Sequence, residues 1–197
     1  MTNCTSIDIR DIDTSQCTSI SMLFDGCESL IEILGIEDLD VSESTSFSRM
    51  FFCCESLKSL DLSRWNTGNV TSTSGMFNDC KSLKSLDLSS RDTSKVNAMT
   101  KVFFGMESAE EIHVASWDVS GVKDFDGVFE NCFKLWEPEV ADWDTSHAVS
   151  SLQRADKMFA YCTMLTADLS KWDVSSATSH DEFNPETLGL IAPRAWQ

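Results

Sequence analysis

The chain has 197 residues, 42% of them hydrophobic, with a formal net charge of −17 and a pI near 4.3. That length fits one domain or one short array with enough apolar matter for a core, and the charge argues against holding nucleic acid or anionic lipid by bulk electrostatics. No apolar run approaches the roughly 20 residues that span a bilayer, so no direct membrane insertion is expected.

The first residues, Met-Thr-Asn-Cys-Thr-Ser-Ile, show no basic segment followed by an apolar one, so no secretory leader is read there. From Ile7 onward the chain repeats. Phe24, Phe51, Phe77, Phe103, Phe129, Phe159 and Phe183 set a register near 26 residues, giving six full repeats and a seventh that degrades. One extra residue falls near Ile33, and about four fall in the Ala148–Asp156 region. Each unit opens with an apolar–x–apolar triplet: Ile7/Ile9, Leu34/Ile36, Leu60/Leu62, Leu86/Leu88, Ile112/Val114, Pro138/Val140 and Ala167/Leu169. Such alternation predicts a short strand with one face buried. Pro138 cannot donate to a ladder and weakens pairing at its rung.

A turn motif follows, Trp-Asp-Thr-Ser in its fullest form. Its first column is Ile12, Leu39, Trp65, Arg91, Trp117, Trp143 and Trp172; its second is Asp13, Asp40, Asn66, Asp92, Asp118, Asp144 and Asp173. A short Asp or Asn side chain accepts a backbone N–H two residues on, which is turn chemistry. The Trp column predicts rung-to-rung stacking, and Arg91 predicts a local irregularity. Next, Thr73, Met76, Phe77 and Cys80 sit at i, i+3, i+4 and i+7, as do Phe47, Met50, Phe51, Cys54 and their counterparts in later rungs. That spacing predicts a helix of about two turns with one apolar stripe. Residues 1–180 are therefore read as the solenoid and 181–197 as a C-terminal cap.

Leu-x-x-Leu-Asp-Leu-Ser-x-Trp-Asp/Asn, then a turn, then Met-Phe-x-x-Cys-x-x-Leu, resembles the BspA-like leucine-rich-repeat family, in its bacterial surface-protein branch of 26-residue repeats; residues 57–83 and 83–109 carry the signature well. The resemblance implies an α/β leucine-rich-repeat solenoid, with a curved parallel sheet on the concave face and short helices on the convex face. It implies adhesion or protein–protein interaction at microbial surfaces, and no catalytic residues. Unpaired thiols lean the other way, toward a reducing interior.

The eight cysteines include a column, Cys27, Cys54, Cys80, Cys132 and Cys162, in which Met106 replaces Cys. A soft buried filler explains that exchange. Neither zinc spacing nor a CxxC motif is present, so no metal or other cofactor is expected. The outward residue of each strand is Asp8, Gly35, Asp61, Asp87, His113, Glu139 or Asp168. Close carboxylates are expected to raise one another's pKa and attract cations. A Thr14, Thr67, Thr93, Thr145 column invites an ice-binding reading, weakened by Val41, Val119 and Val174. His113, His147 and His180 fall on different positions, and no nucleophile or phosphate-loop motif appears, so no reaction is indicated.

The reading is a non-enzymatic module that binds a protein partner, a basic one by charge, through Asp61, Asp87, His113 and Glu139, flanked by Ser59, Ser63, Ser85 and Glu111. Trp65, Asn66, Phe77, Cys80, Trp117, Asp118, Phe129 and Cys132 are read as structural columns. The alternative is a structural subunit docked permanently in a larger assembly.

Overall fold

The repeat builds stacked coils made of turns and very short strands. The computed structural model describes residues 4–143 and 153–197; Asp144, Thr145, His147 and most of the extra residues expected at Ala148–Asp156 lie outside them. Among the described residues, six three-residue strands pair in parallel as three separate two-stranded sheets. β1 (Ser6–Asp8) pairs with β2 (Glu32–Leu34), β3 (Ser85–Asp87) with β4 (Glu111–His113), and β5 (Thr166–Asp168) with β6 (Gly189–Ile191). At Pro138 only a single bridge forms, between Glu111 and Glu137, in keeping with a residue that cannot donate. Residues 58–62 form no strand.

The helices expected at the Phe–Cys stretches are not α-helices. Each is a run of turns whose residues at i and i+4 take positive φ: Met22/Gly26, Arg49/Cys53, Gly75/Asp79, Lys101/Gly105, Gly127/Asn131, Lys157/Tyr161 and Glu182/Glu186. Alternate N–H groups point to the next coil. Phe24 N–H donates to the Met50 carbonyl at 2.9 Å, Phe51 to Met76 at 2.9 Å, and Phe129 to Met158 at 2.9 Å. The amides between them close turns within their own coil, as Cys54 N–H does to the Phe51 carbonyl at 3.1 Å. The physical reason lies in helix ends. A two-turn helix leaves nearly all its N–H and C=O groups without intrahelical partners. Turns stacked on turns pair them with a neighbour instead.

Two register expectations also change. Ile33 pairs opposite Ile7 and is buried, whereas Leu34 pairs opposite Asp8 and is 40% exposed. The extra residue sits after the strand, at Gly35 (φ 86), where a 3-10 turn, Ile36–Asp38, begins. Leu34 rather than Gly35 is therefore the outward residue of that rung. In the last coil, Phe159 N–H donates to the Phe183 carbonyl at 2.8 Å. Phe183 thus stands where Val102 and Met158 stand in their coils, one place short of the phenylalanine position. Its ring meets Phe159 edge-on, at 84°.

The core is a set of continuous columns. Phe24, Phe51, Phe77, Phe103, Phe129 and Phe159 stack with centroids 5.2–5.8 Å apart, within the range of favourable aromatic contacts. Cys54, Cys80, Cys132 and Cys162 are buried free thiols. Each donates to the phenylalanine carbonyl of the coil before, at 3.2, 3.1, 3.1 and 2.9 Å. Burial pushes the Cys54 and Cys162 thiols up to about 12. In the last coil the Thr187 hydroxyl takes over the donation, to Phe159.

Trp65, Trp117, Trp143 and Trp172 are buried, and each indole N–H donates to a carbonyl of the preceding coil, those of Ile36, Leu88, Val114 and Val140. Beside them, Asp13, Asp40, Asn66, Asp92, Asp118 and Asp173 each accept the N–H two residues on, at 2.9–3.3 Å. The threonine column is no surface array. Thr14, Thr67 and Thr93 are buried and donate to the carbonyls of Asp40, Asp92 and Asp118 in the next coil.

Candidate interaction surface

The strand pairing places some of the expected binding residues together and leaves others apart. β3 and β4 run in register, with Ser85 opposite Glu111 and Asp87 opposite His113. Leu86 and Ile112, between them, point into the core and are 2% and 0% exposed. The period-2 alternation of a strand therefore turns the four polar side chains outward. His113 Nδ1 lies 3.3 Å from Glu139 Oε2, and its Nε2 lies 3.8 Å from Glu111 Oε2. Glu139 reaches it from the next coil with a backbone φ of 55. Ser85, Asp87, Glu111, His113 and Glu139 thus form one contiguous patch.

Ser59, Asp61 and Ser63 are exposed on the neighbouring coil, but no paired strand aligns them with that patch. The extra residue at Gly35 and its 3-10 turn lie in the coil on which they would pair. Instead, Ser63 N–H donates to Asp61 Oδ1 at 2.9 Å.

The expected mutual raising of carboxylate pKa values is reversed. Asp87 is held below the ordinary carboxylate range, first by the Ser89 hydroxyl at 2.7 Å and then by the Ser89 N–H at 3.0 Å, with His113 adding to it. Asp61 is lowered in the same way by Ser63, with smaller help from Arg64 and Arg91. Asp168 is lowered by Ser170, and Asp8 is lowered to about 2 by Arg10. The Asp–x–Ser spacing supplies donors to the charged form, and this outweighs repulsion between coils. Among the described residues no group of three or more His, Cys, Asp or Glu side chains could hold a metal ion.

The irregularity expected at Arg91 takes a specific form, and a second charged feature escaped the sequence reading. Arg91, standing in the Trp column, is buried. Its guanidinium donates to the carbonyls of Leu62 and Ser63, each at 2.8 Å, and to that of Trp65. The Leu62 carbonyl is the acceptor that an indole would use, so Arg91 keeps the donor and loses the ring. Second, Arg154 pairs with Asp126 and with Asp156, the latter at 3.2 Å. Burial raises Asp126 even so. The signal was present in sequence: Asp124-x-Asp126 and Arg154-x-Asp156 occupy the columns that Ser46-x-Ser48 holds earlier.

Stacked coils, parallel three-residue strands and columnar packing define a repeat protein of the leucine-rich class. A family model described as "Mycoplasma protein of unknown function, DUF285" matches residues 1–111 and 80–185. The chain belongs to that family, a BspA-like one. No curated protein matches the chain. Among solved structures it is similar to a leucine-rich repeat protein from Bacteroides ovatus ATCC 8483, at 14% identity and TM-score 0.44, covering 98% of this chain and 64% of that one. It is also similar to a leucine rich cell surface protein from Faecalibacterium prausnitzii A2-165, at 14% identity and TM-score 0.38, covering 98% and 61%. The chain spans less than two thirds of the length of either.

Proposed function

We propose that the chain is a non-enzymatic binding module that recognises a basic segment of a protein partner through its exposed sheet face. The residues assigned are Asp87, His113, Glu139, Ser85 and Glu111, extended on the neighbouring coil by Asp61, Ser59 and Ser63. The observation that carries the reading is the register of β3 on β4, which sets carboxylates and an imidazole side by side in solvent where they do nothing for the core. Serine donors hold Asp61 and Asp87 below the ordinary carboxylate range, favouring their charged forms. A fixed row of exposed charge steers a basic partner and favours its register more than it adds raw affinity.

The test is charge reversal with a matched control. Asp87→Lys with Glu139→Lys is compared with Glu43→Lys plus Glu107→Lys, exposed acids elsewhere with the same net change. A fluorescent arginine- and lysine-rich peptide is the probe. The first pair is expected to weaken binding at least about tenfold, roughly 1.4 kcal/mol, with thermal unfolding unchanged; the control pair is expected to do much less. Equal losses would reduce the interaction to bulk charge and end the assignment.

A further inference from the structure

The corner of each coil, between its turn stretch and its strand, changes character along the stack. Two positions follow the thiol column, and in the early coils they hold Glu28-Ser29, Glu55-Ser56, Lys81-Ser82 and Glu107-Ser108. Backbone bonds set them coil on coil: Ser56 N–H donates to the Glu28 carbonyl and Ser82 N–H to that of Glu55, each at 3.1 Å. Lys81 pairs with Glu55 there at 2.7 Å. In the next two coils the same positions hold Phe133-Lys134 and Thr163-Met164, and the Thr163 hydroxyl donates to the Phe133 carbonyl at 3.1 Å. Two residues further on, where Lys58, Lys84 and Glu110 stand in the three coils before, comes Trp136. Its N–H donates to the Glu110 carbonyl at 3.4 Å, as Glu110 N–H donates to that of Lys84 at 2.8 Å.

Polar side chains thus give way to three large apolar ones in solvent. Phe133, Trp136 and Met164 are 39%, 48% and 61% exposed. A single exposed apolar residue is ordinary, but three on two adjoining coils, at positions polar in the coils before, mark a contact surface. This ledge adjoins the acidic row. Glu137 follows Trp136 directly and bridges to Glu111, and Glu139 lies against His113 at 3.3 Å. Glu110, Glu111, Glu137 and Glu139 are all exposed. Carboxylates therefore border Trp136 from its own coil and from the one before, and the ledge's own cation is Lys134.

We infer that, with the acidic sheet face as the binding site proposed above, Trp136, Phe133 and Met164 form its apolar half. The partner it fits is an extended basic segment carrying one bulky apolar residue about three positions from a lysine or arginine. Trp136 and Glu139 are three residues apart, about 10 Å of extended chain, which a ligand strand covers with the same number of residues. Charge selects this occupant. The chain carries −17, so a second copy brings repulsion to a site bordered by carboxylates, and anionic lipid does the same. A basic segment neutralises the rim while its apolar residue covers the indole, a desolvated aromatic centre within a polar border.

Two fluorescent peptides of equal charge test this: an arginine- and lysine-rich sequence with glycine three positions from an arginine, and the same sequence with leucine there. The unaltered chain is expected to hold the leucine peptide at least about tenfold more tightly, the gain from burying one such side chain. Trp136→Glu, which places there the residue that Glu110 supplies in the coil before, is expected to bring that ratio close to one. A ratio unchanged in Trp136→Glu overturns the inference, whether or not the added charge tightens both peptides. Equal binding of the two peptides by the unaltered chain also overturns it and leaves the acidic row standing as the site; binding of neither ends both. Self-association in sedimentation that Trp136→Glu abolishes would give the ledge to a second copy and overturn it too. Should Trp136→Glu lose its structure by circular dichroism, NMR of the unaltered chain decides the matter. The Trp136 indole N–H is expected to shift with the leucine peptide and not with the glycine peptide, and no difference between them rejects the inference.

Discussion

Arg91 shows what one side chain does inside a repeat. Its neighbours in the column, Trp65 and Trp117, cannot stack on each other across it, and a void of about 30 Å³ remains between Trp65, Leu88, Val96 and Trp117. Among the described residues Arg91 Nε has no hydrogen-bond partner, and neither has Thr73 Oγ1 at the same place. Burial lowers the Arg91 pKa, the mark of a charge held in poor surroundings. Arg91→Trp is expected to refill the void, restore the indole bond to Leu62 and raise stability by about 1 kcal/mol, read as a rise in the thermal midpoint. Arg91→Ala is expected to lower it by about 2–4 kcal/mol, because the carbonyls of Leu62, Ser63 and Trp65 lose their donor. The buried thiols behave alike. With Cys54 and Cys162 near 12, a thiol reagent at pH 8 is expected to reach only Cys4, Cys17, Cys27 and Cys53 in the folded chain, and all eight in denaturant.

At the scale of the element, the turn stretch sets the rules. Positive φ recurs at every fourth residue, a conformation unfavourable by about 1–2 kcal/mol for most side chains. Lys157→Gly relieves it at φ 57 and gives up only an exposed ion pair to Glu182, so a gain of about 0.5–1 kcal/mol is expected in urea unfolding. Gly105→Ala is expected to act oppositely and more strongly, since a Cβ there would stand 2.5 Å from Asp79 Oδ1. This element also explains where sequence reading failed. A period of four residues is close to 3.6, so Phe47, Met50, Phe51 and Cys54 mimic a helical stripe. Gly26, Gly75, Gly105, Gly127 and Asn131, interior to the supposed helices, were the cue to the turns. The Asp–x–Ser turns and the aromatic ladder were legible because each rests on contacts local to a repeat or copied between repeats. The displacement of Leu34 and Phe183 was not, because a one-residue shift leaves composition unchanged. The turns also set a pH window. Asp13, Asp40, Asp92 and Asp173 are lowered by the donors two residues on. Their contribution is full above the ordinary carboxylate value and lost as pH falls through the depressed ones. Buried thiols contribute fully below their ordinary 9.0 and lose that contribution as pH rises beyond it. The thermal midpoint is expected to be flat between these limits and to fall on both sides.

For the whole molecule, coils touch only their neighbours, so stability approximates a chain of nearest-neighbour terms. Phe77 sits mid-ladder, stacked on Phe51 at 5.6 Å and on Phe103 at 5.8 Å. Phe77→Ala is expected to cost about 3–5 kcal/mol and to split a single urea transition into two, one for each flank.

The alternate amides of the Phe–Cys turn stretches, which donate from each coil to the next, also write a clock for isotope exchange. When the last coil lifts away, Ala155, Lys157, Phe159 and Tyr161 lose the acceptors of their amides, while Met158, Ala160 and Cys162 keep theirs within their own turns. Deuterium would then enter every second amide of that segment. When the first coil lifts away, the corresponding amides of the second, Phe47, Arg49, Phe51 and Cys53, still donate onward to the third and stay protected. An alternating pattern of labelled and unlabelled neighbours therefore reports which end of the molecule breathes, from a single spectrum.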